Sequence, residues 1–312
     1  MRRHSLRALA PLVAAVLWGG LYVVSKWTFD AVTPLTLAFV RVVIGAGTLL
    51  VVVRLRYPAR SFSRHDWYGF GVLAAWVAGS MATQFLGTDL TTASEGALVT
   101  VLTPVFTVAL GAVVLRETVT RRRALGMAAA LVGTGVVVAG RHDLSTLGAG
   151  GGVGITMLVL ASVTWAGYTV WGAPLIRRYS ALETATYSTA LAVPLLAVCV
   201  PIEWYLTGDS LVGGTSGGGP LGPGSLTLPV VAAILYLAIP GTAIAWYCWY
   251  KGLEYLDAGT VAVFFFAQPA VGAALGAAFL GEALGAGFVL GGLLMGAGIY
   301  VVSTDRAEDA AT

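Results

Sequence analysis

The sequence predicts an all-α integral membrane protein of ten transmembrane helices, arranged as two halves of five with inverted topology. Three observations predict it. The 312 residues are 57% hydrophobic and only 11% charged, with a mean hydropathy of +0.84, whereas soluble chains carry about 25% charged residues. Ten apolar runs of about 20 residues, the length that crosses a bilayer, lie near 9–29, 33–53, 66–86, 94–115, 122–140, 153–173, 181–204, 229–250, 258–280 and 285–303. Finally, the chain contains one stretch twice, TPVFTVALGAVVLRETV from Thr103 to Val119 and QPAVGAALGAAFLGEAL from Gln268 to Leu284. A single offset of 165 pairs Pro104 with Pro269, Gly111 with Gly276 and Glu117 with Glu282, and continues to Gly126 with Gly291 and Gly133 with Gly298. A repeat of this length marks a duplication.

The basic residues orient the chain. With the N-terminus in the cytoplasm, fifteen of the 18 Lys and Arg fall on the inner side, Arg141 alone falls outside, and Lys26 and Arg41 lie within helices. That bias places both termini inside. The net charge of +3 is therefore a topology signal, and no nucleic-acid partner is expected. Each half has an odd number of helices, so the second half enters from the opposite side. This is the inverted repeat typical of secondary transporters, with a binding site near the midplane between the halves. The first repeat is read as 9–140, an external linker as 141–152 and the second repeat as 153–304.

The remaining segments say less. Arg2, Arg3 and Arg7 precede the first run as in a signal peptide. Its length, Lys26 and the lack of a small-residue cleavage site keep it as a span. The Gly-, Pro- and Ser-rich segment near 205–228 reads as a flexible external loop. The glycine run Gly148–Gly154 has neither the preceding strand nor the following Lys of a phosphate-binding loop. Cys199 and Cys248 lie in apolar runs and read as small apolar side chains. His4, His65 and His142 all fall in loops, so neither a metal site nor a cofactor is expected.

Polar residues inside the apolar runs are the candidates for function. Arg41 lies about eight residues into the second run, roughly 12 Å from the outer face at 1.5 Å per residue. Its guanidinium suits an anionic group of a substrate, such as a carboxylate; the alternatives are a pair with Glu95 or backbone carbonyls. Lys26, near the outer end of the first run, either faces the cavity or snorkels to the interface. Trp18, Tyr22 and Lys26 recur every four residues and share a face, as do Trp76, Ser80 and Gln84, and Thr242, Trp246 and Tyr250. Trp165 and Tyr168 are neighbours on the sixth helix. Such mixed stripes suit a cavity wall, with interfacial belts as the rival reading.

Two prolines and two acids complete the set. Pro104 and Pro269 leave the Thr100 and Phe265 carbonyls without their helical donors. Thr100, Thr103 and Gln268 are nearby partners, and both kinks are candidate hinges. Glu117 and Glu282 end the fourth and ninth helices against the helix dipole, so each needs a specific partner or serves as a gate contact. Gly272-x3-Gly276, Gly287-x3-Gly291, Gly292-x3-Gly296 and Gly126-x3-Ala130 are small faces that join helices within one chain or between two, leaving a homodimer open.

LWGGLYVVSKWTFD…TPLTLAFVR from Leu17 to Arg41, LTPVFTVALGAVVLRE and QPAVGAALGAAFLGE resemble the paired EamA domains of the drug/metabolite transporter superfamily over nearly the whole chain. The resemblance implies ten helices, cytoplasmic termini and export or exchange of small metabolites through a central cavity. Trp165 can stand opposite Trp18, but the second half has no counterpart of Lys26 or Arg41, which confines their role to the first half.

The expected function is secondary transport of an amino acid or similar small zwitterion or carboxylate across the cytoplasmic membrane by alternating access. A multidrug exporter of cationic amphiphiles, and a nucleotide-sugar or lipid-linked-sugar carrier, are the alternatives. An enzyme would need catalytic groups converging at one depth. Here Asp30, Asp89 and Glu203 scatter to the outside and Asp66 and Glu183 to the inside. For proton coupling, Glu95 is the acid nearest the membrane interior; facilitated exchange needs none.

Overall fold

Among the described residues, ten helices and no strand build the fold. They are α1 (Ala10–Thr28), α2 (Pro34–Arg56), α3 (Arg64–Asp89), α4 (Ala93–Leu115), α5 (Arg121–Arg141), α6 (Gly151–Arg178), α7 (Ala181–Thr207), α8 (Leu228–Leu253), α9 (Ala258–Leu280) and α10 (Ala286–Asp309). The computed structural model describes residues 10–58, 60–116, 119–141, 151–207, 226–256, 258–281 and 285–309. Glu117, Glu282, most of the expected linker and the segment 208–225 lie outside the described residues.

Eight of the helices are long and apolar enough to cross a membrane. The other two, α5 and α10, fall short of that measure. Arg121, Arg122 and Arg123 open α5, and the apolar part of α10 runs only over Ala286–Gly298. These two pack on each other.

Local sequence fixes where helices begin and break. Pro34 sits at the start of α2, where its missing N–H costs nothing. Ser63 with Asp66, and Thr92 with Glu95, form reciprocal capping boxes at the starts of α3 and α4. Glu95 is thus bonded to the Thr92 amide at 3.0 Å, and the Arg41–Glu95 pair offered by the sequence is absent. Each proline is preceded by a short 3₁₀ turn, Thr100–Leu102 ahead of Pro104 and Phe264–Phe266 ahead of Pro269. The helices also end alike. Arg116 after α4 has φ 57° and Gly281 after α9 has φ 67°, and these left-handed caps stand 165 residues apart.

Packing repeats the same symmetry. α2 lies on α7 and α5 on α10; the α3–α6 contact is answered by α8–α1, α4–α6 by α9–α1, and α3–α7 by α8–α2. Each of these pairs maps to one of them when the halves are exchanged, as a pseudo-two-fold axis requires. The glycines show it atom by atom. A methyl group on Gly133 would stand 2.6 Å from the Gly291 carbonyl oxygen, and one on Gly298 would run into that of Gly126. Gly272 likewise lets α9 approach α4, where a methyl group would lie 2.7 Å from the Ala97 Cβ. These small faces are used within the chain, whereas Gly292 and Gly296 face open space.

Apolar residues such as Leu55, Val113, Leu125, Leu228 and Phe279 cover the outside, while Trp18, Trp165, Trp246, Trp249, Tyr168 and Tyr250 are buried within. That distribution suits hydrocarbon as solvent.

Candidate functional site

Seven helices converge on one central cavity. Its wall takes Trp18, Leu21 and Tyr22 from α1, Arg41 from α2, Ser80, Met81 and Gln84 from α3, and Thr100 and Thr103 from α4. The second half adds Ala161 and Trp165 from α6, Trp246 from α8, and Phe265 and Gln268 from α9. The open space is about 20 Å³. A water needs about 10–15 Å³ and a ligand pocket about 300–1,000 Å³. The molecule is therefore contracted around its centre, and any ligand larger than water must part the wall.

Arg41 is 1% exposed, and the reason it is tolerated lies in α8. Pro240 has no N–H for the Tyr236 carbonyl, and the helix widens into a π turn over Ile239–Ile244. The Ala245 amide reaches the Pro240 and Thr242 carbonyls, passing over Gly241. The Gly241 carbonyl accepts instead from Trp18 Nε1 at 2.9 Å and from Arg41 Nη2 at 3.1 Å. Arg41 Nε donates to Thr242 Oγ1 at 2.8 Å, and that hydroxyl donates to the Leu237 carbonyl at 2.8 Å. The guanidinium also lies 5.3 Å from the Phe85 ring centroid. Of the alternatives the sequence left for Arg41, the carbonyl contact is present. Its third nitrogen, Nη1, has no hydrogen-bond partner.

Nη1 is not alone. Trp165 Nε1, Trp246 Nε1, Gln268 Nε2 and Thr103 Oγ1, all on the cavity wall, are likewise buried without a partner. These atoms are donors, or in the hydroxyl's case able to donate. Each stranded donor costs about 1–3 kcal/mol. The aromatic rings form a connected set, with Trp18 5.1 Å from Trp165 and 5.3 Å from Phe265, and Trp165 5.5 Å from Trp246. Opposite them, Tyr22 and Thr100 share a hydrogen bond of 2.8 Å, and the Thr100 hydroxyl also bonds the Gly96 carbonyl at 2.9 Å. The Ser80 hydroxyl reaches the Ala161 carbonyl at 3.3 Å.

Lys26, Trp76 and Tyr168, read from these helix faces as cavity candidates, stand away from the wall. Lys26 Nζ caps the end of α3, donating to the Asp89 carbonyl at 2.6 Å and the Thr88 carbonyl at 3.4 Å. Trp76 packs in a slot made by Gly167, with Trp171 at 5.5 Å. Tyr168 lies one layer behind, stacked on Tyr250 at 4.7 Å and bonded to Ser188 at 3.2 Å. A four-residue stripe spans both the wall and the packing behind it, which is why period alone included them. The sequence reading passed over Leu21, Met81, Ala161, Phe265 and the Gly241 carbonyl. Only the last left a signal, the Pro240-Gly241 step inside an apolar run.

Glu203 also differs from expectation. It is 4% exposed and serves α2, not an outer loop. Its Oε1 accepts from the Leu35 amide at 2.7 Å, and its Oε2 from the Thr36 amide at 3.0 Å and the Thr33 hydroxyl at 2.6 Å.

An apolar-skinned helical bundle with a buried polar centre between two related halves is a multi-pass membrane architecture. Two stretches, residues 6–139 and 152–304, match the model of the EamA-like transporter family. The chain belongs to that family and is a transporter. It is 27% identical over 308 residues to an uncharacterized transporter of Archaeoglobus fulgidus, covering 98% of this chain and 99% of that one. It is 24% identical to a probable amino-acid metabolite efflux pump of Salmonella typhimurium, over 93% of this chain and 92% of the pump. A solved crystal structure, 21% identical and matched over 99% of both chains, shares the fold with a TM-score of 0.69.

Proposed function

We propose that this transporter exports or exchanges a small metabolite bearing a carboxylate, an amino acid or similar zwitterion, across the cytoplasmic membrane. Both termini lie in the cytoplasm, the two repeats are inverted, and alternating access runs through the central cavity. One observation carries the reading: Arg41 Nη1 is a buried charged donor without a partner, among four further unmet polar atoms of the same wall. A carboxylate offers about four acceptor sites and no donor. It answers that set where a cation would meet Arg41 unfavourably. The aromatic wall offers faces to an ammonium group, so a zwitterion finds a place for both charges. The similarity to a probable amino-acid metabolite efflux pump points the same way.

The test is thermal stability of the purified protein in detergent against amino acids, their decarboxylated amines and cationic dyes. A ligand at about a hundred times its dissociation constant adds about 2.7 kcal/mol. Carboxylate-bearing ligands should stabilise, their amines should not, and Arg41→Met should abolish the effect. Stabilisation by dyes alone, with Arg41→Met lowering only the baseline, overturns the reading in favour of a multidrug exporter.

A further inference from the structure

We infer that the π turn of α8 is the device that aims Arg41, and that Thr242 is a specificity-determining positioning residue. The inference rests on the carboxylate reading above and adds what makes that recognition directional. A free arginine side chain can turn any of its N–H groups to a ligand. Here two of the three nitrogens are already committed, Nε to the Thr242 hydroxyl at 2.8 Å and Nη2 to the Gly241 carbonyl at 3.1 Å. Both acceptors come from one turn of α8. The Thr242 hydroxyl is itself fixed, because its proton goes to the Leu237 carbonyl five residues back at 2.8 Å. That leaves its lone pairs for Arg41. Nη1 remains as the only uncommitted nitrogen.

The turn is seated against α2 by a glycine. A methyl group on Gly45, one helical turn beyond Arg41, would lie 2.7 Å from Thr242 Cγ2 and 3.1 Å from the Ala238 carbonyl oxygen. Gly45 therefore lets the bulge come close enough for both bonds to Arg41. The cation comes from the first repeat and its aim from the second. The sequence offset gives no hint of this, since it pairs Gly241 with Trp76 in α3, a helix with no such bulge.

The experiment incubates detergent-purified wild type, Arg41→Met, Thr242→Val, Thr242→Ser and Gly45→Ala with an equimolar mixture of the common amino acids. Mass spectrometry identifies the ligands retained. For each, the ratio of affinities for the acid and its uncharged amide is then measured. Thr242→Val keeps the shape and removes both hydrogen bonds. It should lower the acid-over-amide preference about tenfold, the worth of one charge-assisted bond, while Thr242→Ser keeps the wild-type ratio. Gly45→Ala should lower the ratio in the same direction, and it decides the matter if Thr242→Val fails to fold. An unchanged ratio in Thr242→Val, beside a lost ratio in Arg41→Met, overturns the positioning role and leaves the carboxylate reading standing. No retained ligand, or a ratio that survives Arg41→Met, overturns both.

Discussion

The N-termini of α2 and α7 occupy equivalent places in the two repeats, and different chemistry holds them. At α2 the expected cap, Thr33, makes no capping bond of its own. The Glu203 carboxylate arrives from the far end of α7 and takes the Leu35 and Thr36 amides at 2.7 and 3.0 Å. A buried anion on a helix N-terminus also meets the positive end of its dipole. At α7 the cap is local, Ser180 Oγ accepting from the Glu183 amide at 3.1 Å, with Glu254 accepting from the Ala181 amide at 3.0 Å. Arginines from both halves join them at this end: Arg60 of the first to Glu183 of the second at 3.4 Å, and Arg178 of the second to Asp66 of the first at 3.1 Å, with the arginines 46% and 59% exposed. Contacts between the halves are dry and backbone-bound at one end, wet and ionic at the other. Each pair joins a half-exposed arginine to a buried carboxylate, and water on the arginine side screens it toward the small worth of a surface pair, about 0–1 kcal/mol, so the arginine end is the cheaper one to part.

The largest effect should come from breaking the dry end. Glu203→Ala strands two buried amides at about 1–3 kcal/mol each, a loss of roughly 2–6 kcal/mol read as a lower Tm. Glu203→Gln retains an acceptor oxygen and should lose less. If neither moves Tm, the two ends are energetically alike and the contrast fails.

A second pair of equivalent positions gives a smaller effect of opposite sign. Arg116 and Gly281 both hold left-handed caps. A side chain there costs about 1–2 kcal/mol, and the greater freedom of an unfolded glycine offsets about 0.5–1 kcal/mol. Arg116→Gly should therefore raise stability by about 0.5–1 kcal/mol, while Gly281→Ala lowers it; thermal denaturation of both variants checks the sign. The smallest effect belongs to the wet end. Arg60→Ala should cost under about 1 kcal/mol at low ionic strength, and less in high salt, where exposed charges are screened. A salt-independent loss would mean that the buried Glu183 carboxylate, and not the half-exposed arginine, sets the strength of the pair.

Much of this architecture is legible in the residues because it is periodic. The 165-residue offset predicts that Pro104 and Pro269 break their helices alike, and it reaches the caps at Arg116 and Gly281. The site is legible only where a polar or aromatic side chain stands out in an apolar run, as Arg41, Gln84, Thr103 and Gln268 do. Neighbours on the same stripe, Trp76 and Tyr168, differ from wall residues by the rotation of a helix, which four-residue spacing does not resolve. The Gly241 carbonyl is backbone, carried by every residue alike, and its release depends on a π turn that period-3.6 reasoning does not contain. Glu203 reads as an outer acid because its partners, the Leu35 and Thr36 amides, lie some 170 residues away and have no side-chain signature.

The contracted centre has an electrical consequence. A space of about 20 Å³ holds about one water, whereas a proton wire or a hydrated ion needs an unbroken file of waters across the roughly 30 Å hydrocarbon layer. At its centre the empty carrier offers no such file in this form. The membrane potential, about 2.3 kcal/mol per charge per 100 mV, falls across closely packed tryptophan rings. A centre closed in this way is the barrier that keeps an idle copy from shorting the gradient across the membrane it sits in.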